Sequence, residues 1–328
     1  MKRRNLLTVA AGWALAPAVP GASAQSGPYP NHPIKIIVPF AAGVSPDVVA
    51  RLVGDRLAQA LGQPIIVDNR PGAGGMIGAE AAATSPGDGY TLLFSVKAVT
   101  AIAPNVYQSV KYNPIRDFKA VSQILIVPHV LTAAPNTPYN TLPEMVAYAK
   151  RNPGKIDFAS LGVGSQPHVA LEAWASRLGI QLNHVPYKTN PSPDVMSGVI
   201  SLSVEASTTA IPLIKAGKVK ALAISGTERI ASLPDLPTMS EFGPNLDPNG
   251  VIGNSWHGIF VPTATPDDIV ARLNTEIVKI VKMPEVQTRL RSLGLTPTGT
   301  SSATLATAAA SDYAYWGQLV RELGVKVE

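Results

Sequence analysis

Apolar positions run almost unbroken through Ile34-Lys35-Ile36-Ile37-Val38, stop at Pro39, and restart with helical spacing at Val49, Leu52, Val53, Leu57, Ala60 and Leu61. The first pattern predicts a buried strand, and the second a helix that packs one face on a sheet. Ser45 suits the N-cap, Pro46 the first helical position, Asp47 the positive end of the helix dipole, and Gly62 the C-terminal stop. In an open α/β sheet, a loop at a strand's carboxyl end that feeds a helix N-terminus is a natural place for a small anion. Phe40, Ala41, Ala42, Gly43, Val44, Ser45 and Asp47 are therefore the first candidate binding residues.

The same strand-loop-helix pattern recurs. Pro64 to Val67 leads through Asp68-Asn69-Arg70-Pro71-Gly72-Ala73-Gly74-Gly75 into a helix over 76–83. The glycine spacing there is one residue too long for a dinucleotide fingerprint, and a tight packing turn explains it as well as a ligand contact. Tyr90 to Ser95 predicts a third strand, with Ser95 and Lys97 at its carboxyl end; Lys97 is either a ligand contact or a solvated lysine. In the second half, Lys155 to Ser160 predicts a strand, Leu161-Gly162-Val163-Gly164-Ser165-Gln166 a loop, and Pro167 to Leu178 a helix with His168 in its first turn. His184 to Tyr187 reads as a short strand and loop. Ile200 to Ala206 alternates as a strand and carries Glu205. Two stretches can carry the chain between domains: the apolar run Ala120 to Ala133, broken by Pro128, and Val219 to Ser225.

A length of 328 residues suggests about two domains, and the absence of cysteine removes disulfides, thiolate metal sites and cysteine nucleophiles. Lys2-Arg3-Arg4, an apolar stretch from Leu6 to Val19, and Ala22-Ser23-Ala24 predict a cleavable export signal over 1–24. The twin arginine leaves both the Sec and the Tat route open. Taking its three basic residues from 27 leaves 24 against 22 acidic ones, a net charge of +2. A nearly neutral chain with five scattered histidines argues against a nucleic-acid partner. Neither G-x-S-x-G nor H-E-x-x-H is present, so no catalytic residue, metal site or cofactor is expected.

The motifs taken together resemble the extracytoplasmic receptors of tripartite tricarboxylate transporters, the Bug family. The likeness rests on Tyr29-Pro30, Val38-Pro39-Phe40 with Gly43 and Asp47, Asp68 to Gly75, and Asp88-Gly89-Tyr90-Thr91-Leu92-Leu93. The second half adds Phe158-Ala159-Ser160 with Gly162, Gly164, Ser165 and His168, then His184-Val185-Pro186-Tyr187-Lys188, Lys215-Ala216-Gly217-Lys218 and Arg272-Leu273-Asn274. The resemblance implies a two-lobed α/β fold of the type II periplasmic binding protein (Venus-flytrap) kind, with two crossover strands. Lobe I would comprise 25–124 and 227–328, and lobe II 125–226. It further implies a monomeric, non-catalytic periplasmic receptor that closes on a small organic carboxylate and delivers it to membrane permease subunits. The loops Phe40 to Asp47 and Ser160 to His168 would hold the carboxylate through backbone N–H groups and water, with Tyr187 nearby. Val44, Val96-Lys97-Ala98 and the short loop Lys188-Thr189-Asn190-Pro191 depart from the family pattern. Val44 adds apolar bulk, and Lys97 could pair with a second carboxylate. Glu205 falls where the family tends to place an acid, so it could hold a water, a ligand hydroxyl or amine, or a structural hydrogen bond. An exported hydrolase and a binding partner of a membrane sensor kinase are the alternatives.

Overall fold

Pro128 interrupts what would otherwise be one long strand, and because proline has no N–H to give to a ladder, the chain changes sheets there. The computed structural model describes residues 29–243, 246–247 and 253–325; the expected export signal lies outside them. The first sheet contains β1 (Ile34–Val38), β2 (Ile65–Asn69), β3 (Thr91–Val96) and β4 (Phe118–Val127), together with the later strands β10 (Ser255–Pro262) and β11 (Thr296–Pro297). Its order is β11-β4-β10-β3-β1-β2. The second sheet contains β5 (His129–Ala133), β6 (Asp157–Ser160), β7 (Asn183–Pro186), β8 (Leu202–Ala206) and β9 (Lys220–Ile224), in the order β7-β6-β8-β5-β9. The helices are α1 (Ser45–Leu61), α2 (Met76–Ala83), α3 (Ala103–Val106), α4 (Leu142–Arg151), α5 (Gln166–Leu178), α6 (Ser192–Ser197), α7 (Ser207–Lys215), α8 (Asp267–Val281), α9 (Pro284–Ser292) and α10 (Ser302–Glu322).

The ladder registers show which edges of the two sheets meet. In the first sheet, β1 pairs in parallel with β2 and β3, and β10 sets His257 opposite Val96 and Ser255 opposite Val127. The ends of β1, β2, β3 and β4 thus share one edge. In the second sheet His129 lies opposite Ala206, Val130 opposite Ile224, and Ser160 opposite Pro186. The start of β5 therefore shares an edge with the ends of β6, β7, β8 and β9. Only Pro128 separates β4 from β5, so these two edges face one another, and the loops after β1 and β6 lie between them.

The expected strand-loop-helix units are present, and α1 stops at Gly62, whose φ of +70° is the left-handed stop the sequence predicts. Two local expectations are corrected. Val44, not Ser45, occupies the N-cap of α1, and no side chain caps it there. The stretch after β3 is not a loop: Lys97 begins a helical turn that continues as a π-helix over Ala98–Ile102 and as α3.

Each sheet has its own core. Ile34, Ile36 and Val38 pack with Val49, Val53 and Leu57 of α1 and with Leu273 and Ile277 of α8. Around the second sheet, Phe158, Leu202 and Trp174 pack with Ile102 and Val106, and with Trp316, Leu319 and Val320 of α10. The segment 98–106 and α10 are therefore joined to the second core although each arises from the stretches that build the first sheet. Among the described residues no helix is long and apolar enough to cross a membrane. Trp316→Ala should cost about 3 kcal/mol in urea unfolding, the low end of the range for deleting a buried tryptophan. The low end applies because the buried indole N–H it removes has no hydrogen-bond partner.

Candidate functional site

The loop after β1 takes its shape from Asp47, at the third position of α1. Its buried carboxylate accepts from the Gly43 N–H at 2.8 Å, from Arg51 Nε at 3.1 Å and from Asn69 Nδ2 at 2.9 Å. Asn69 Nδ2 also donates to the Phe40 carbonyl at 3.1 Å, which ties both ends of the loop to β2. Burial alone would raise the Asp47 pKa; the hydrogen bonds from Arg51, Gly43 and Asn69 outweigh it and hold the carboxyl below its ordinary value. Asp47 is thus a brace for the loop, fully occupied by protein donors.

His168 does the same for the loop after β6. It too is third in its helix, and its Nδ1 accepts from the N–H of Gly164, four residues back, at 3.1 Å. Its ring stacks on His184 with centroids 3.8 Å apart. Ser160 Oγ donates to the Gly162 carbonyl at 3.0 Å, so the 2.7 Å contact with His184 Nε2 is a donation from the imidazole. The accepting Nδ1 makes the His168 ring neutral, and burial lowers the His184 pKa, which favours the neutral ring there too. Burial, followed by the neighbouring His184, lowers the His168 pKa to about 4.

What remains free in both loops is backbone and hydroxyl. The first turn of an α-helix leaves its N–H groups without intrahelical partners. Val48 and Val169 close the first turns onto Val44 and Ser165, and Pro46 and Pro167 have no N–H. The N–H groups of Ser45 and Asp47 in α1, and of Gln166 and His168 in α5, are the remaining donors. Ser45 Oγ and Ser165 Oγ, one in each loop, are buried without a hydrogen-bond partner. The segment 98–107 spaces the loops. A Cβ on Gly75 would press on Val99 at 2.6 Å and Phe40 at 3.5 Å, while one on Gly164 would collide with Val106. The seven helical rises from Val99 to Val106, about 10 Å, thus separate the points where the segment meets the two loops. Val44, Leu161 and Val163 stand exposed there. A separate cavity of about 330 Å³ beside the crossover is lined by Pro128, Ser225, Arg229 and Arg291 and by none of the candidate residues.

Other candidates lie on the facing edges, and all but Glu205, which is held through one oxygen, are committed elsewhere. Ser95 is fully buried, with its hydroxyl on the Val96 carbonyl at 3.4 Å. Lys97 is 3% exposed and pairs with Asp312 of α10 at 3.3 Å, while Asp312 also accepts from Trp256 Nε1 at 2.6 Å. Lys97 is therefore neither a solvated lysine nor a cation free to meet a carboxylate, because the helical turn that follows β3 carries it inward. Burial lowers its pKa against the opposing pull of Asp312. The Tyr187 hydroxyl donates to Asp194 at 2.5 Å, and Glu205 accepts from Ser192 and Ser203. Arg51, Asn69, His184 and Asp312 are the partners that the sequence analysis does not single out. Asp312 has a visible signal, since it interrupts an apolar helical stripe of Leu305, Ala309, Trp316 and Leu319, and a buried acid needs a cation.

Residues 49–325 match the profile described as "Tripartite tricarboxylate transporter family receptor". This chain belongs to that family. BugT of Bordetella pertussis (strain Tohama I) is 34% identical over 332 residues, covering 100% of both chains. Among solved structures, R. palustris Rpa4515 with adipate is 28% identical with a TM-score of 0.79, covering 91% of this chain and 99% of that one. MatC of Rhodopseudomonas palustris with bound malate is 30% identical with a TM-score of 0.75, covering 89% and 100%. The two mixed sheets joined at Pro128 are the two-lobed fold of periplasmic solute-binding proteins, and the chain is a receptor, not an enzyme.

Two outcomes test this geometry. Lys97→Met should destabilise the receptor by about 3–5 kcal/mol in urea unfolding, because it strands a buried Asp312, and adding Asp312→Leu should recover much of the loss. Ligand affinity should be flat above about pH 6.5. It should fall as the pH drops toward the His168 pKa of about 4, because a protonated Nδ1 cannot accept from Gly164 and the neutral ring is what the formed loop requires. In His168→Asn, which keeps an acceptor but does not titrate, calorimetric affinities should show a flatter profile over that range.

Proposed function

We propose that this chain is an exported, periplasmic receptor that captures a small organic carboxylate between its two lobes and delivers it to the membrane permease of a tripartite tricarboxylate transporter. The observation that carries the reading is the matched pair of loops at facing sheet edges. Each is braced by an acceptor at the third helical position, and each offers helix N-terminal N–H groups and one unpartnered serine hydroxyl. Hydrogen bonds to a charged group contribute about 1.5–3 kcal/mol each, and a micromolar dissociation constant needs about 8 kcal/mol. A few such bonds with some apolar burial suffice. The relatives seen with adipate and malate carry small carboxylates in the same fold. Closure would turn on the crossover at Pro128 and the return after β9, and the ligand would favour the closed form by bridging loops that the open form holds apart.

Thermal unfolding of the chain from residue 25 onward, against a panel of mono-, di- and tricarboxylates and their neutral amides, tests the reading. A bound carboxylate at about 100 times its dissociation constant should add roughly 2.7 kcal/mol of apparent stability, and the matching amide none. Ser45→Ala and Ser165→Ala should each weaken binding by about 1 kcal/mol while leaving the ligand-free melting point near that of the parent. Equal shifts with acids and amides would sink the proposal.

A further inference from the structure

On the facing edge of the second sheet, one acidic side chain is not absorbed by the carboxylate grip. Glu205 lies next to the end of β8, immediately before the turn into α7. β6 and β8 pair in parallel with Ala159 level with Ser203, and carrying that register two residues forward sets Glu205 beside Leu161, the first residue of the second loop. Its Oε1 accepts from Ser203 Oγ at 3.0 Å and lies 3.2 Å from Ser192 Oγ, whose single proton it shares with Asn190 Oδ1 at 2.7 Å. Among the described residues no hydrogen bond reaches Oε2. The group is held through one oxygen and has an acceptor to spare.

Among the described residues no cation is paired with Glu205. Lys97 is bound to Asp312, and Arg51 to Asp47 and Asn69. His168 is neutral because its Nδ1 accepts a hydrogen bond, and burial lowers the His184 pKa. Lys188 is exposed beyond the end of β7, two strands from β8, a backbone separation of about 10 Å, and no ion pair joins it to Glu205. A second ligand carboxylate at this position would face a like charge in a partly desolvated corner. A hydroxyl or ammonium there would instead donate a charge-assisted hydrogen bond to Oε2. The two loops also present apolar surface: Val44, Leu161 and Val163 are 43%, 60% and 42% exposed, three of the seven exposed large aliphatic side chains among the described residues. An apolar ligand body would be accommodated by these side chains.

We infer that the ligand is a monocarboxylate with an apolar body and a hydroxyl or amine at its far end, its carboxylate on the loop N–H groups and its donor on Glu205. This rests on the receptor reading above and separates the chain from the relatives seen with the dicarboxylates adipate and malate.

Calorimetric titration at pH 7.5 with two matched series tests it: hexanoate, 6-hydroxyhexanoate and adipate, then benzoate, 4-hydroxybenzoate and terephthalate. In at least one series the hydroxy acid should bind tenfold or more tighter than the diacid. Glu205→Gln keeps an acceptor for Ser192 and Ser203, so its melting temperature should match the parent's, and it should narrow the preference below threefold. Lys188→Ala should leave the preference unchanged. A diacid that binds the parent as tightly as the hydroxy acid in both series overturns this inference alone. So does a tenfold preference that survives Glu205→Gln or disappears in Lys188→Ala. Binding of no acid from either series overturns the receptor reading and this inference with it.

Discussion

A glycine N–H held by the side chain four residues further on is the constraint from which both candidate loops take their shape. Gly43 and Gly164 have φ values of +85° and +77°, a region costly for residues with a Cβ, and each turns the chain just before a helix whose first N–H groups have no internal partner. Asp47 and His168 accept from those glycines and leave the neighbouring donors pointing outward. The two braces solve the problem with different chemistry. Asp47 carries a charge, so it needs Arg51 beside it, and its four-residue spacing from that arginine supplies the partner from the same helix face. His168 is neutral and needs no counter-ion; it depends on stacking with His184, which in turn holds Ser160. A hydrogen bond to a charged group contributes about twice as much as one between neutral groups, so the first loop is the more firmly fixed of the two.

The same economy of charge governs the ground between the loops. Segment 98–107 sets their spacing, and it begins at Lys97, whose buried ammonium is held by Asp312. That pair ties the end of β3 to α10, and both 98–106 and α10 pack into the core of the second sheet as well as, through Val99, Leu305 and Ala309, against the first. A closure that swings the sheets about Pro128 must therefore either carry this segment with the second core or slide it against the first. Packed interfaces of this kind move between discrete arrangements and do not deform smoothly.

Much of this was legible along the chain, and for local reasons. Strand runs, the proline at 128, the glycine at 62 and the strand-loop-helix repeats are all written within a few residues of where they act. Asp47 and Arg51 could be paired by spacing alone. What could not be seen were partners supplied by register or by distant segments. Asn69 reaches Asp47 because β1 and β2 align Val38 with Asn69, and Asp312 lies more than two hundred residues from Lys97. Ser45 suits a cap by composition, yet the helix starts one residue earlier with Val44 at the N-cap, and Asp47 instead reaches back to the Gly43 N–H.

Keeping cations out of the cleft has a physical consequence for a receptor that must also let go. A guanidinium paired directly with a buried carboxylate is costly to separate, because opening strands a charge in a poorly solvated place. Backbone N–H groups and serine hydroxyls, by contrast, return to water at little cost once the lobes part, and each contributes only a small increment. Affinity built from several such increments falls away stepwise as the lobes separate, since the donors belong to two different sheets and no single lobe holds them all. In the proposed receptor, tight capture in the closed state and easy release in the open one would follow from the same set of weak contacts, with the crossover at Pro128 and the return after β9 setting how many of them act together.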